Sequence, residues 1–191
     1  MTSTSSDFQR AVNFARQWQA LPQNRRARLA RDMPVATIQA AALGHPDFTV
    51  RRFCLFLLDH YASDASWEVF RRALRDPVPA VRAGALHGIA CERCRVQALP
   101  VAGVVGDLVA IMGADPNPEV RYKTVAALAR FLERDGRAGE AIARAAADDP
   151  DPAIRHVAQR VGTGDPGVQP RKATLRDLRR NQRGLRRSGT Q

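Results

Sequence analysis

The stretch of sequence that decides the fold is residues 76–82, which read DPVPAVR. Two close copies follow it, DPNPEVR at residues 115–121 and DPDPAIR at residues 149–155. A weaker copy, HPDFTVR, precedes all three at residues 45–51. The arginines that end the four copies are separated by 31, 39 and 34 residues. Self-similarity at this period is typical of proteins built from stacked helical repeats.

Each copy has the composition of a tight corner between two helices. Its first proline cannot continue a preceding helix and disfavours the α conformation in the residue before it. The second proline position suits the first turn of the next helix, where no backbone N–H partner is needed. The leading aspartate can accept hydrogen bonds from backbone N–H groups. An apolar run of helical period follows, as at Val81, Ala85 and Ile89, so the pattern predicts repeated helical hairpins.

The D-P-x-P-x-(V/I)-R pattern resembles the HEAT family of helical-hairpin repeats, over roughly residues 34–162. The resemblance implies an all-α, right-handed solenoid of about four hairpins. It also implies a ladder between neighbouring repeats, made by each aspartate and the arginine six residues later. The implied pairs are Asp76 with Arg82, Asp115 with Arg121, and Asp149 with Arg155. His45 replaces the aspartate in the first copy, so the ladder is expected to weaken there.

The chain is expected to have three parts. Residues 1–33 would form an N-terminal helical cap, residues 34–162 the HEAT-like repeats, and residues 163–191 a linker with a disordered, arginine-rich tail. The cap is expected because terminal repeats of a solenoid are atypical. The predicted helices are 7–20, 23–32, 34–43, 49–61, 66–75, 80–92, 101–112, 119–133, 137–147 and 153–161.

Charge and cysteine usage bound the cellular context. The formal net charge is +11, and residues 171–191 alone hold eight basic residues against one acidic residue. The three cysteines occur without a signal-peptide pattern, which favours a reducing compartment. No apolar stretch approaches the length of a transmembrane helix. We expect a cytoplasmic protein that acts as a monomer and does not associate with membranes.

One constellation has the residue types of a metal site. His87, Cys91 and Cys94 lie at positions i, i+4 and i+7, which share one helical face. His60 and Cys91 occupy the same register in successive repeats, so His60 is a fourth candidate. Two imidazoles and two thiolates suit tetrahedral zinc. The helix would have to end near Cys91, because an unbroken helix places His87 and Cys94 about 10.5 Å apart.

Alternative roles for these residues stay open. Cysteine and histidine also fill gaps in helical cores or lie on the surface without a ligand. A redox pair is less favoured, because thioredoxin-type motifs place the nucleophilic cysteine at a helix N-terminus. The stretch also resembles a bacterial subset of HEAT-repeat proteins with an A-L-H-x-L-x-C-x-x-C-K motif and L-D-H in the preceding repeat. Here those motifs read ALH at 85–87, CERCR at 91–95 and LDH at 58–60, which implies a shared but unnamed role.

The first functional hypothesis is a non-enzymatic scaffold that binds a protein partner on the inner, concave face of the solenoid. On that face, the side chains two and six positions after each leading valine or isoleucine should point away from the core, toward solvent. Exposed aromatic side chains flanked by arginines are typical of protein-binding surfaces. The candidate partner-binding residues are Arg52, Phe56, Tyr122, His156 and Arg160. An alternative places Phe56 in the core, under the N-terminal helices.

The second hypothesis is nucleic-acid association through the basic tail, because clustered arginines bind phosphates without sequence choice. The tail could equally act only as a disordered, solubilising segment. The candidate residues are Arg171, Lys172, Arg176, Arg179, Arg180, Arg183, Arg186 and Arg187.

A third hypothesis is a metal-stabilised regulator, in which His60, His87, Cys91 and Cys94 hold a structural zinc ion. Four protein ligands would fill the tetrahedron and leave no position for a substrate. The sequence contains no phosphate-binding glycine motif, no nucleophile elbow and no convincing carboxylate pair. We therefore expect no enzymatic activity and no cofactor other than this zinc.

Overall fold

The computed structural model describes residues 5–61, 66–91 and 103–164. Within these ranges the chain is all-α, which confirms that part of the predicted fold class. The described residues form ten α-helices, and most of their bounds lie within three residues of the predicted ones. The largest difference is at α8, Pro118–Leu128, which gives way to a short 3-10 helix at Ala129–Phe131 instead of continuing to residue 133.

The chain forms two compact units, Met1–Ala98 and Leu99–Gln191. Their boundary falls inside the predicted repeat region, so each unit contains two of the predicted hairpins. The helices of the first unit are α1 Ser5–Ala20, α2 Gln23–Arg31, α3 Val35–Gly44, α4 Phe48–Tyr61, α5 Trp67–Ala73 and α6 Pro79–Ala90. The helices of the second unit are α7 Val104–Ala114, α8, α9 Gly136–Asp148 and α10 Pro152–Gly162.

In the first unit, two helical hairpins stack so that their first helices contact each other and their second helices contact each other. Helix α3 packs on α4 and α5 on α6, while α3 also contacts α5 and α4 contacts α6. Helix α1 packs on α3 and α4, and it buries Phe14 and Trp18. The core side chains, such as Leu55 and Leu58 of α4, follow the helical spacing.

A close approach between α5 and α6 depends on Gly88. The Phe70 ring is fully buried and lies against this glycine, so that a Cβ at position 88 would be 2.6 Å from Phe70 Cε1. Gly84, one turn earlier in α6, has its nearest such neighbour, Arg52 Cγ, at 3.7 Å. Gly88 is therefore not a packing defect, because the aromatic ring occupies the space that its side chain leaves.

The second unit repeats the arrangement. Helix α7 packs on α8 and α9 on α10, while α7 contacts α9 and α8 contacts α10. Helix α8 also contacts α9, and most of its residues are buried. The largest wholly buried side chains here are Leu108, Tyr122, Leu128, Phe131 and Ile142.

The corners have the predicted local structure. In the three aspartate copies, Oδ1 of Asp76, Asp115 or Asp149 accepts a hydrogen bond from the backbone N–H two residues later, at 2.8–2.9 Å. The second proline is the first residue of α6, α8 and α10. In the weaker copy, Nδ1 of His45 accepts from the N–H of Asp47 at 3.0 Å. The imidazole thus substitutes for the aspartate in the turn, although it brings no carboxylate.

The ladder joins different residues from those that the resemblance implied. Within one copy, the arginine donates to the backbone carbonyl oxygen of the leading residue, as Arg121 does to Asp115 at 2.9 Å. Arg82 and Arg155 make the same contact with Asp76 and Asp149. For Asp76 and Asp149, the implied carboxylate pair within the copy is therefore corrected to a contact through the carbonyl oxygen.

The carboxylates of Asp76 and Asp149 pair instead with the arginine of the preceding copy. Arg51 donates to both oxygens of Asp76 at 2.7 and 2.9 Å. Arg121 donates to both oxygens of Asp149 at 2.9 and 3.1 Å. All four side chains are largely buried, and these hydrogen bonds raise the pKa of both arginines above the ordinary value. Each rung thus connects the corners of two successive hairpins.

Loss of a rung should destabilise the protein far more than loss of a carbonyl contact. Arg121→Met would leave the Asp149 carboxylate buried without its partner, at a cost of about 3–5 kcal/mol in free energy of unfolding. Arg155→Met is the matched control, because Arg155 donates to the Asp149 and Pro150 carbonyl oxygens at the last corner; its cost should be about 1 kcal/mol. Denaturant melts measure both, and equal losses would contradict the rung.

Replacing each of the two glycines of α6 by alanine should have opposite effects on stability. Gly88→Ala places a methyl group against the buried Phe70 ring and should destabilise by about 1 kcal/mol or more, despite the gain in helix propensity. Gly84→Ala makes only ordinary contacts and should be neutral or stabilising by up to about 1 kcal/mol. Thermal melts compare them, and a stabilising Gly88→Ala would refute the close approach.

Candidate functional site

The C-terminal ends of α4 and α6 bring together the residues singled out in the sequence. Helix α6 ends at Ala90, and Cys91 takes an extended conformation with φ −76° and ψ 104°. The N–H of Cys91 still donates to the His87 carbonyl oxygen at 2.9 Å. The expectation that the helix ends near Cys91 is confirmed, and His87 and Cys91 remain one turn apart.

Three side chains from these two helices converge. Asp59 of α4, His87 of α6 and Cys91 each offer a ligand atom, and these atoms all lie within 4.8 Å of one another. We refer to these three residues as the Asp59 cluster. An imidazole, a carboxylate and a thiol are donor types that protein zinc sites use.

Asp59 is the unusual member of the Asp59 cluster. Only 2% of its surface is exposed. Neither of its carboxylate oxygens has a hydrogen-bond partner among the described residues. Its Oδ2 lies 3.6 Å from His87 Nε2 and 3.6 Å from His60 Nδ1, which is ion-pairing distance but too long for a hydrogen bond. A buried carboxylate normally accepts several hydrogen bonds, so this one lacks the contacts that usually compensate burial.

His60 has a different place from the one predicted. Its Nδ1 lies 3.0 Å from the Phe56 carbonyl oxygen, and its ring contacts the Phe56 ring at a tilt of 37°, with centroids 4.1 Å apart. It lies beside Asp59 but outside the group of three converging ligand atoms. Of the predicted set, the structure thus brings together His87 and Cys91, and the third converging residue is Asp59. Cys94 lies outside the described residues.

Sequence reasoning missed Asp59 although a signal was present. Asp59 is the one acidic residue of α4, where it follows the apolar run of Phe56, Leu57 and Leu58. An acidic residue in that setting is a candidate for a buried functional group. The spacing of cysteines and histidines does not point to it, because Asp59 belongs to neither residue type.

An exposed surface adjoins the Asp59 cluster on α4. Arg52, Phe56 and His60 are exposed at positions i, i+4 and i+8, and we refer to them as the α4 surface. Phe56 is 37% exposed. Its ring also contacts Trp18 of α1, edge-on at a centroid distance of 5.5 Å. The alternative that Phe56 lies in the core under the N-terminal helices is therefore only partly correct. One side of its ring packs on α1, and the other side reaches solvent.

The remaining predicted site residues are placed separately. Tyr122 is wholly buried in the second unit, so its predicted exposure is wrong. The reason is that α8 is covered by α7, α9 and α10, which leaves its predicted outward positions inside the core. His156 is exposed and Arg160 partly exposed on α10. All eight predicted nucleic-acid-binding residues, from Arg171 to Arg187, lie outside the described residues.

The chain matches no protein-family model, no curated protein and no solved structure. The HEAT resemblance and the functions that it implies therefore remain expectations. Within the described part of the chain, no helix combines the length and the apolar character needed to cross a membrane.

The cysteines should differ strongly in reactivity. Cys54 is wholly buried in α4, and burial raises its pKa from 9.0 to about 12. At neutral pH its thiolate population falls about a thousandfold, and the thiolate is the reacting form. In native protein kept in chelator, alkylation mapped by mass spectrometry should label the partly exposed Cys91 and spare Cys54 until denaturant is added. Equal labelling of both in the native state would contradict the buried position of Cys54.

Proposed function

We propose that this protein is a non-enzymatic, HEAT-like helical-repeat scaffold that binds an acidic protein partner through the α4 surface. The observation that carries the proposal is the exposed Phe56 ring, flanked on the same helix face by Arg52 and His60. The stacking of like helices within each unit supports the repeat architecture, and the solenoid arrangement is part of the proposal.

The α4 surface is held in place before any partner binds. The rung between Arg51 and Asp76 fixes α4 to the next corner. The Phe56 ring stacks on Phe53 with centroids 5.8 Å apart, and it contacts the tilted ring of His60. A side chain that is already ordered loses little conformational entropy on binding, which favours affinity.

The residue types fit a protein interface. Aromatic residues and arginine are enriched in the energetically dominant positions of such interfaces. Tyr61, at the end of α4, is also exposed and contacts Trp18 at a centroid distance of 6.2 Å. The α4 surface thus has an aromatic centre, with one guanidinium at its edge.

Charge indicates an acidic partner. The helix α2 packs on α1 and α4, and it exposes Arg25, Arg28 and Arg31 to solvent. The remaining arginine of α2 is Arg26, whose guanidinium carbon lies 4.4 Å from the centroid of the Trp18 ring. These cations lie on a helix next to the α4 surface, so complementarity favours a partner that presents carboxylates around an apolar side chain.

Nucleic-acid association through the basic tail is a second proposal. The observation behind it is the net excess of basic residues in residues 171–191. The two proposals separate cleanly, because the α4 surface lies in the first unit and the tail follows the last described residue, Gly164.

A photo-cross-linking amino acid at position 56 should capture a protein partner in the organism that encodes this chain. The matched control is position 48, because Phe48 is also exposed on α4, at its opposite end. The captured protein, once purified, should bind the parent chain. Phe56→Ala should weaken that binding at least about tenfold, while Phe48→Ala should leave it within about twofold. Binding should also weaken with added salt.

Truncation after Gly164 provides the decisive comparison between the two proposals. The protein partner should bind the truncated and full chains equally.

Cross-linking of equal strength at positions 48 and 56, or an affinity unaffected by Phe56→Ala, would contradict the α4 surface as the binding site. Binding to nucleic acid that is steeply salt-dependent and lost on truncation would favour the tail.

A further inference from the structure

We propose that the Asp59 cluster binds one zinc ion, with Asp59, His87 and Cys91 as its protein ligands. This site goes beyond the proposed scaffold function and does not depend on it. It also differs from the four-residue set expected from spacing, because a buried carboxylate replaces one imidazole.

The surroundings of Asp59 favour a bound cation. Its carboxylate is buried, and both oxygens lack a hydrogen-bond partner in the described part of the chain. An ionised carboxylate in this position is strongly unfavourable unless a cation or hydrogen-bond donors compensate it. A divalent cation bound directly to the carboxylate supplies that compensation.

The distances within the Asp59 cluster fit zinc. Asp59 Oδ2 and His87 Nε2 are 3.6 Å apart, beyond the usual range of about 2.7–3.2 Å for an N–H···O hydrogen bond. Two ligands of a tetrahedral zinc ion, each bound at about 2.0–2.2 Å, lie about 3.4 Å from each other. The observed separation is thus close to one edge of a zinc tetrahedron. The Cys91 donor lies within the same 4.8 Å group, and a thiolate bound at about 2.3 Å needs only a small side-chain adjustment.

The helix ends beside the Asp59 cluster also favour a cation. Asp59 lies in the last turn of α4, and His87 lies in the last turn of α6. The carbonyl groups at a helix C-terminus carry partial negative charge, so both ends attract positive charge. His87 and Cys91 are four residues apart, which places both donors on one side of the end of α6.

Solvent completes the coordination. The His87 side chain is 50% exposed and Cys91 is partly exposed, so a water molecule has access to the fourth position. His60 lies beside the Asp59 cluster but outside it, since its Nδ1 lies 3.6 Å from Asp59 Oδ2. The zinc ion would tie the ends of α4 and α6 together immediately behind the α4 surface.

The test uses the full chain, purified without a polyhistidine tag and freed of metal with a chelator. Added Zn²⁺ should bind at one ion per chain and raise the melting temperature. Co²⁺ should give the charge-transfer absorption of a thiolate ligand, because Cys91 contributes sulfur. Zinc should also protect Cys91 from alkylation, whereas the buried Cys54 should stay unlabelled with and without zinc.

Asp59→Asn distinguishes a carboxylate that binds zinc from one that serves only the packing of α4. It should weaken zinc affinity at least about 100-fold, since loss of an outer contact alone costs about 10–100-fold. In chelator, the variant should be as stable as the parent or more stable, because an uncompensated buried charge is removed. Asp47→Asn is the matched control, since it alters an exposed carboxylate at the start of α4 and should leave zinc affinity unchanged.

His87→Gln keeps the test valid if Asp59→Asn does not fold, because His87 is half exposed and its replacement should be tolerated. It should also weaken zinc binding at least about 100-fold. Zinc affinity unaffected by either variant would overturn the proposal. So would a parent chain that shows no zinc-dependent melting and no cobalt–thiolate absorption.

Discussion

The buried guanidinium–carboxylate rung between successive corners of one unit is the interaction on which the rest of the structure depends. Each rung uses an arginine whose position is fixed by its own corner, since the same guanidinium donates to the carbonyl oxygen of the leading residue. The paired aspartate is fixed in turn by the backbone N–H that it accepts in the next corner. A rung therefore transmits the geometry of one hairpin to the next, and a break leaves a buried charge without a partner.

Much of the fold follows from local rules that a sequence displays. The prolines of each corner end one helix and begin the next, and the apolar spacing then defines the buried face. This is why the all-α class and most helix bounds were predicted. The rung partners were not predicted. Whether Asp76 pairs with Arg82 or with Arg51 depends on how two hairpins stack, which the local sequence pattern does not show. The burial of Tyr122 has the same origin, since α7, α9 and α10 together cover α8.

The site shows the same division between local and tertiary information. His87, Cys91 and the helix end between them were readable from spacing, whereas the convergence with Asp59 required the contact between α4 and α6. His60 links the two proposed sites, because its ring contacts that of Phe56 while its Nδ1 lies beside Asp59. A change at the Asp59 cluster would therefore reach the α4 surface through a single side chain.

The most direct test of the rung's central role is a double-mutant cycle in the first unit, with Arg51→Met and Asp76→Asn. Asparagine retains an oxygen for the Val78 N–H, so the cycle isolates the charge pair from the turn. Chemical denaturation of the four proteins should give a coupling free energy of about 1–3 kcal/mol. A coupling below about 0.3 kcal/mol, the level of an ordinary surface pair, would show that the corners are not held together by this interaction.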